Sequence, residues 1–209
     1  MLLAITVCAL AVAGLLAAEA RSWRPGVWLA KPLASTAFVA VALAAGASTS
    51  NFGRWVLGAL LLCWLGDVLL IPKQRSAYFI GGIVSFLLGH VAFAVAFVGR
   101  STEPLALALG ATAMAPVAWL LFRWLRPHLS GPFRVAVPIY VVVICSMLVA
   151  ALATVRAAGQ LEILLGACMF AVSDVAVARD RFVAPGRRAW LWGLPLYYSA
   201  QIVLASSVA

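Results

Sequence analysis

Residues 63–70 read CWLGDVLL, an otherwise apolar run that carries one aspartate, Asp67. Further along, residues 168–177, CMFAVSDVAV, do the same with Asp174. The chain has only six acidic residues, so two of them inside apolar runs need a reason. An ionisable side chain in a membrane helix costs about 2.5–3.5 kcal/mol on insertion scales and usually faces the bundle interior.

Composition makes the membrane the setting. Of 209 residues, 66% are hydrophobic and 10% charged, against about 25% charged in a soluble domain. Runs near the ~20 residues that a crossing helix needs fall at 2–20, 28–46, 53–71, 78–98, 104–122, 133–154, 160–178 and 188–207. The expected fold is therefore all-α, a single domain over residues 1–209 built as a bundle of eight transmembrane helices. The first run ends in an A-x-A pattern like that of a secretory signal. No basic residue precedes it, however, and Arg21, Arg24 and Lys31 follow it, so it is expected to stay as the first span.

The net charge of +9 does not point to nucleic acid, because the basic residues sit in short connections between apolar runs. The odd-numbered connections hold Arg21, Arg24, Lys31, Lys73, Arg75, Arg123, Arg126, Arg134, Arg179, Arg181, Arg187 and Arg188. The even ones hold Arg54, Arg100 and Arg156. Basic residues accumulate on the cytoplasmic side, so both termini are expected on the non-cytoplasmic side of an integral, multi-pass protein of a bacterial inner membrane. Spans three and seven then run inward. Each aspartate lies about 6 Å of helical rise before the end of its span, and both sit at matching depth in the cytoplasmic half.

A faint internal repeat agrees. LGDVLL and VSDVAV each lie on the third span of a four-span half. The following span carries one polar residue, His90 or Gln201, and the preceding even span a proline, Pro32 or Pro138.

Each polar residue has an ordinary reading beside a functional one. The aspartates either make structural helix–helix hydrogen bonds or form a site. Lys31, in AKPLAST, either snorkels at the interface or holds a lipid phosphate or an aspartate. His90 is either a satisfied core residue or part of the site. His128, in a basic connection, reads as interfacial. Two histidines at unrelated depths make a poor zinc site, since catalytic zinc takes three protein ligands; no metal and no cofactor are expected. Tyr78 reads as a belt residue, whereas Tyr140 and Gln201 lie deeper and need partners, most economically around the aspartates. Cys8, Cys63, Cys145 and Cys168 show no CxxC spacing and read as small apolar fillers. No GxSxG is present, and the glycines of YFIGGIVS and of residues 166–167 read as close helix packing.

Taken in order, KPL (31–33), GDVLL (66–70), YFIGGIVSFLLGHVAF (78–93), Tyr140, Met147, GACMFAVSDVAVARDRF (166–182) and YYSAQIVL (197–204) resemble the YhhN-like lysoplasmalogenase family. The resemblance covers spans two to eight. It implies eight spans and hydrolysis of the vinyl-ether bond of lysoplasmalogens, releasing a fatty aldehyde and a glycerophospho-ethanolamine or -choline. Carried over by motif, Asp67 and Asp174 are the catalytic residues, and Lys31, His90, Tyr140, Tyr198 and Gln201 bind substrate. The partners are then a lysophospholipid and the surrounding membrane lipids.

The chemistry suits two carboxyls. A vinyl ether hydrolyses by protonation of its β-carbon, giving an oxocarbenium ion that water captures. One group must carry a proton near neutral pH and another must be an anion. Burial and neighbouring charge separate the proton affinities of paired carboxyls, as in two-carboxylate glycoside hydrolysis. The alternative is a small-ion or proton-coupled transporter using Asp67 and Asp174. Transporters favour broken helices at the midplane and often inverted repeats, whereas here the acids cluster toward one face and the repeat is parallel. A third reading, a structural or assembly protein, leaves the polar residues without a shared purpose.

Overall fold

The computed structural model describes the chain except residues 73–75, 101–102, 159 and 185. Lys73 and Arg75, which enter the charge count, thus lie outside the described residues. Those described form eight long α-helices: α1 Leu2–Ala20, α2 Arg24–Ala44, α3 Asn51–Leu69, α4 Ser76–Val98, α5 Pro104–Leu125, α6 Phe133–Ala158, α7 Leu161–Ala178 and α8 Arg187–Ser206. A 3-10 turn, Arg126–His128, follows α5, and a π-helical turn, Arg179–Val183, continues α7.

Local chemistry sets the ends. Pro25 and Pro104 occupy the first turns of α2 and α5, where a missing N–H costs nothing. The Ser50 hydroxyl accepts the Gly53 N–H at 3.0 Å to cap α3. α2 stops in a Schellman motif. Gly46 takes φ +88°, its N–H donates to Leu43, and the Ala47 N–H donates to Ala42, a left-handed turn that glycine adopts without penalty.

Seven helices are long and apolar enough to cross a membrane, by length and composition, among the described residues. The exception is α8. It opens on Arg187 and Arg188 and carries Tyr197, Tyr198, Ser199 and Gln201, so its polar content lowers its hydropathy. Outward faces elsewhere are apolar, with Leu2, Leu29, Val142, Leu161 and Trp119 all well exposed. Such surface suits lipid. The protein is an integral membrane protein.

Helices α2, α3, α4, α6, α7 and α8 form a closed ring, each packed on the next and α8 back on α2. α1 lies outside the ring on α2 and α8, and α5 lies outside it on α6. The arrangement nearly maps onto itself when the first four helices are exchanged for the last four. The hairpins α1/α2 and α3/α4 match α5/α6 and α7/α8; the contacts α2/α3 and α4/α6 match α6/α7 and α8/α2. The parallel repeat expected from LGDVLL and VSDVAV therefore has a counterpart in the packing.

Small residues draw the ring together. A Cβ on Gly66 would lie 2.7 Å from the Phe86 ring, and one on Gly166 would lie 2.7 Å from Leu204. Gly82 and Gly193 meet Leu70 and Ala176 as closely. Without a hydrophobic drive between helices in lipid, such close approach supplies the dispersion contacts that hold them. The Ser85 hydroxyl donates to the Leu62 carbonyl at 2.6 Å and ties α4 to α3.

Candidate functional site

Every polar residue singled out in the spans comes from a helix of the ring, and none from α1 or α5. They form two clusters. In the first, Lys31 of α2 reaches Asp67 Oδ1 with its ammonium at 3.2 Å, the side chains being 12% and 3% exposed. α2 begins at Arg24 rather than near residue 28, so Lys31 stands two turns inside the helix. It does not snorkel; it turns inward to the carboxyl. The hydroxyls of Ser35 and Tyr197 donate to Asp67 Oδ2 at 2.6 and 2.8 Å. Three donors, one of them cationic, suit an ionised carboxylate, and the Ser35 distance is that of a charge-assisted bond.

Ser35 has one hydroxyl hydrogen and two acceptors in reach, Asp67 and the Lys31 carbonyl at 3.0 Å. The shorter contact is to Asp67. The Tyr198 hydroxyl lies 3.4 Å from Ser35 and 3.5 Å from that same carbonyl. Tyr198 therefore touches the cluster through Ser35 and the α2 backbone, while Tyr197 bonds the carboxyl itself.

The second cluster gathers Asp174 of α7, Tyr140 of α6 and His90 of α4. Tyr140 donates its hydroxyl to Asp174 Oδ2 at 3.2 Å, and His90 Nε2 lies 3.1 Å from the same oxygen. His90 Nδ1 is 2.8 Å from the Phe86 carbonyl, one turn back on its own helix. The ring stacks on Phe170 at 4.1 Å and meets Tyr140 edge-on at 5.4 Å. His90 is fully buried, and the Asp174 side chain is 15% exposed.

Aromatic rings link the two clusters. Phe170 stacks on His90 and contacts Tyr197 at 5.6 Å, with Phe86 against both Phe170 and Tyr197. Cys63, one turn before Asp67, lies within electrostatic range of both carboxyls and beside Gln201. The Gln201 amide is fully buried, and neither its oxygen nor its nitrogen meets an N or O partner. It is a buried polar group next to Cys63.

Three prolines recur at these positions: Pro32 beside Lys31, Pro138 two residues before Tyr140, and Pro195 two before Tyr197. Each removes one backbone N–H from its helix, and neighbouring helices and side chains accommodate that inside a membrane bundle.

Sequence reasoning placed Lys31, Asp67, His90, Tyr140, Asp174, Tyr198 and Gln201 together, and the fold gathers all of them around the ring interior. It missed Ser35 and Tyr197. Ser35 lies one turn after Lys31, a helical spacing that was available as a signal. Tyr197 adjoins Tyr198, and only the rotation of α8 says which of the two faces Asp67. The carboxyls also differ in their distance from the helix end. α3 ends at Leu69, just past Asp67, whereas helical structure runs on from Asp174 to Val183.

A ring of helices, all but α8 long and apolar enough to cross a membrane, encloses two separately partnered carboxyls and defines a polytopic membrane protein with a polar interior. The chain belongs to the YhhN family, whose model matches residues 26–208. It is 34% identical over 154 residues to the human protein named lysoplasmalogenase TMEM86A, covering 71% of this chain and 62% of that protein. It is also 34% identical over 158 residues to a lysoplasmalogenase of Mycobacterium tuberculosis, covering 70% of this chain and 58% of the relative. The chain thus spans less than two thirds of the length of these relatives. They come from a mammal and a bacterium, so family membership leaves the host membrane open. No solved structure matches the chain.

Proposed function

We propose that this protein is a lysoplasmalogenase, hydrolysing the vinyl-ether bond of a lysophospholipid to a fatty aldehyde and glycerophospho-ethanolamine or -choline. The observation that carries this reading is the pair of carboxyls in one ring interior with contrasting partners, Asp67 among three donors and Asp174 beside a histidine. The reaction needs one group to give a proton to carbon and one anion to steady the oxocarbenium ion, and the two clusters meet that division of labour. The names of the relatives support the same substrate class. Gln201, with a buried amide that meets no N or O partner, is placed to bind a water or a substrate oxygen.

The positive-inside pattern supports termini outside the cytoplasm and a site in the cytoplasmic half, in a bacterial inner membrane. A cation or proton carrier is the weaker reading, because the Lys31 ammonium already occupies the Asp67 carboxyl that a transported cation would use.

The decisive experiment incubates purified protein with an alkenyl lysolipid and with its saturated alkyl twin. Aldehyde release from the first alone is expected, since only a vinyl ether can be protonated at carbon. Equal turnover of an acyl lysolipid would mark an esterase and overturn the assignment.

A further inference from the structure

His90 fixes where one proton sits. Nδ1 lies 2.8 Å from the Phe86 carbonyl, an oxygen that only accepts, so Nδ1 carries hydrogen. In the neutral ring, Nε2 is then the bare, accepting nitrogen. Nε2 lies 3.1 Å from Asp174 Oδ2, and no aligned hydrogen bond reaches it among the described residues. A bare nitrogen facing an ionised carboxylate would be two acceptors in contact, in a place where His90 is wholly buried. That arrangement is repulsive. A proton carried by the pair, on Asp174 or on Nε2, removes that repulsion.

We infer that His90 and Asp174 jointly hold the one proton that the reaction transfers to carbon, making Asp174 the general acid and His90 the residue that keeps it protonated and positioned. This rests on the vinyl-ether reading above. Asp67 is then the standing anion, since Lys31, Ser35 and Tyr197 all donate to it. Among the described residues, the titratable groups facing the His90–Asp174 pair are Tyr140 from α6, which donates to Oδ2, and the Cys63 thiol from α3. From α7 itself the pair meets the Phe170 ring. Lys31 is engaged at Asp67.

The steps balance. The C=C π pair takes the proton from Asp174 at the β-carbon, and an oxygen lone pair closes the oxocarbenium ion, with Asp67 as counter-anion. Water adds to the cationic carbon and its released proton returns to the His90–Asp174 pair. The hemiacetal then breaks its C–O bond to glycerol; the glycerol oxygen takes a proton while the hemiacetal hydroxyl gives one up. One water is consumed, and the enzyme ends with its proton in place.

The test begins with 15N-histidine NMR of the detergent-solubilised full chain carrying His128→Gln, which leaves His90 as the sole histidine. The expected spectrum shows Nδ1 protonated and Nε2 either accepting a hydrogen bond or protonated as imidazolium. A neutral ring with hydrogen on Nε2 and a bare Nδ1 would overturn the inference. Asp174→Asn should change the Nε2 signal and Asp67→Asn should not; the reverse would overturn it as well. In kinetics with alkenyl lysolipid, His90→Asn should lower kcat by about tenfold or more, short of the ~10²–10⁴ that the positioned acid itself contributes. The loss should deepen as pH rises, with KM nearly unchanged. A loss uniform across pH would mean that His90 only packs. Should the Asn variant fail to fold, the spectrum of the folded chain still decides. A wild-type spectrum as expected, together with no aldehyde from alkenyl lysolipid, would leave the shared proton standing and sink the vinyl-ether reading.

Discussion

Asp67 and Asp174 hold equivalent places in the two halves of the chain. Each is met by a polar side chain from the second helix of its own half, Lys31 on α2 or Tyr140 on α6. Each is also met from the fourth helix of the opposite half, by Tyr197 on α8 or His90 on α4. Equivalent backbone positions have thus received unlike partners. One carboxyl sits beside a fixed cation and is sealed; the other sits beside an imidazole and is partly open. The repeat supplies the frame and the substituted side chains supply the difference between the acids.

Asp67→Asn and Asp174→Asn should each lower kcat by about a hundredfold or more, because positioned acid–base groups contribute ~10²–10⁴. The amide is nearly isosteric, so folding should survive. The double variant should lose little beyond either single one, as for residues that act as a unit. Steady-state kinetics on monodisperse protein decides. Retention of more than about a tenth of kcat by either variant would reduce that aspartate to a structural role.

Both termini should read as non-cytoplasmic in reporter fusions, because basic residues concentrate in the odd-numbered connections, Arg21, Arg24, Arg123, Arg126, Arg134, Arg179 and Arg181 among them. Two cytoplasmic readings would reverse the topology and place the site in the other leaflet.

How much of this was legible beforehand follows from where the information resides. Composition and run length gave the helices, because a bilayer demands long apolar segments. The two aspartates stood out because charge there is costly. Helix rotation was hidden. These helices are apolar nearly all round, so no polar stripe marks the inward face. Ser35 and Thr36 are adjacent, yet Ser35 turns to Asp67 while Thr36 accepts the Trp64 indole N–H at 3.1 Å. Tyr197 and Tyr198 pose the same choice on α8. Rotation is set by close contacts such as Gly166 on Leu204, and these appear only once neighbouring helices are known.

Gly66→Ala should destabilise the bundle, by about 1–3 kcal/mol for an overpacked interior. Its new methyl would meet the Phe86 ring, which is held between Phe170 and Tyr197 and has little room to move. Gly58→Ala on the same helix meets nothing within 4 Å and should be neutral or slightly stabilising. Thermal unfolding in detergent compares them. Equal effects would mean that helix propensity, rather than the α3/α4 contact, sets the outcome.

Tyr197→Phe should cost more than Tyr198→Phe. The first leaves Asp67 short of a donor at 2.8 Å, and an under-satisfied buried acceptor costs about 1–3 kcal/mol. The second removes only contacts of 3.4 and 3.5 Å to Ser35 and a backbone carbonyl. Unfolding midpoints and kcat should fall in that order, and the opposite order would mean that Tyr198 is the hydroxyl that serves the carboxyl.

The Lys31–Asp67 pair allows stability to be separated from chemistry. Removing the cation alone, as in Lys31→Met, strands a carboxylate that is 3% exposed. Breaking one side of a buried ion pair costs about 3–5 kcal/mol. Ser35 and Tyr197 still donate to Asp67, which places the expected loss at the lower end. Lys31→Met combined with Asp67→Asn removes both charges and keeps a polar group for the two hydroxyls. Most of the stability should therefore return, since a buried pair contributes little net stabilisation relative to neutral residues of similar volume. Activity should not return, because the anion that steadies the oxocarbenium ion is gone. Unfolding in detergent and turnover of alkenyl lysolipid, measured on the two single variants and the double, form the complete cycle. A double variant as unstable as Lys31→Met would show that Lys31 acts through packing of its stem. One that regains turnover would remove Asp67 from the chemistry.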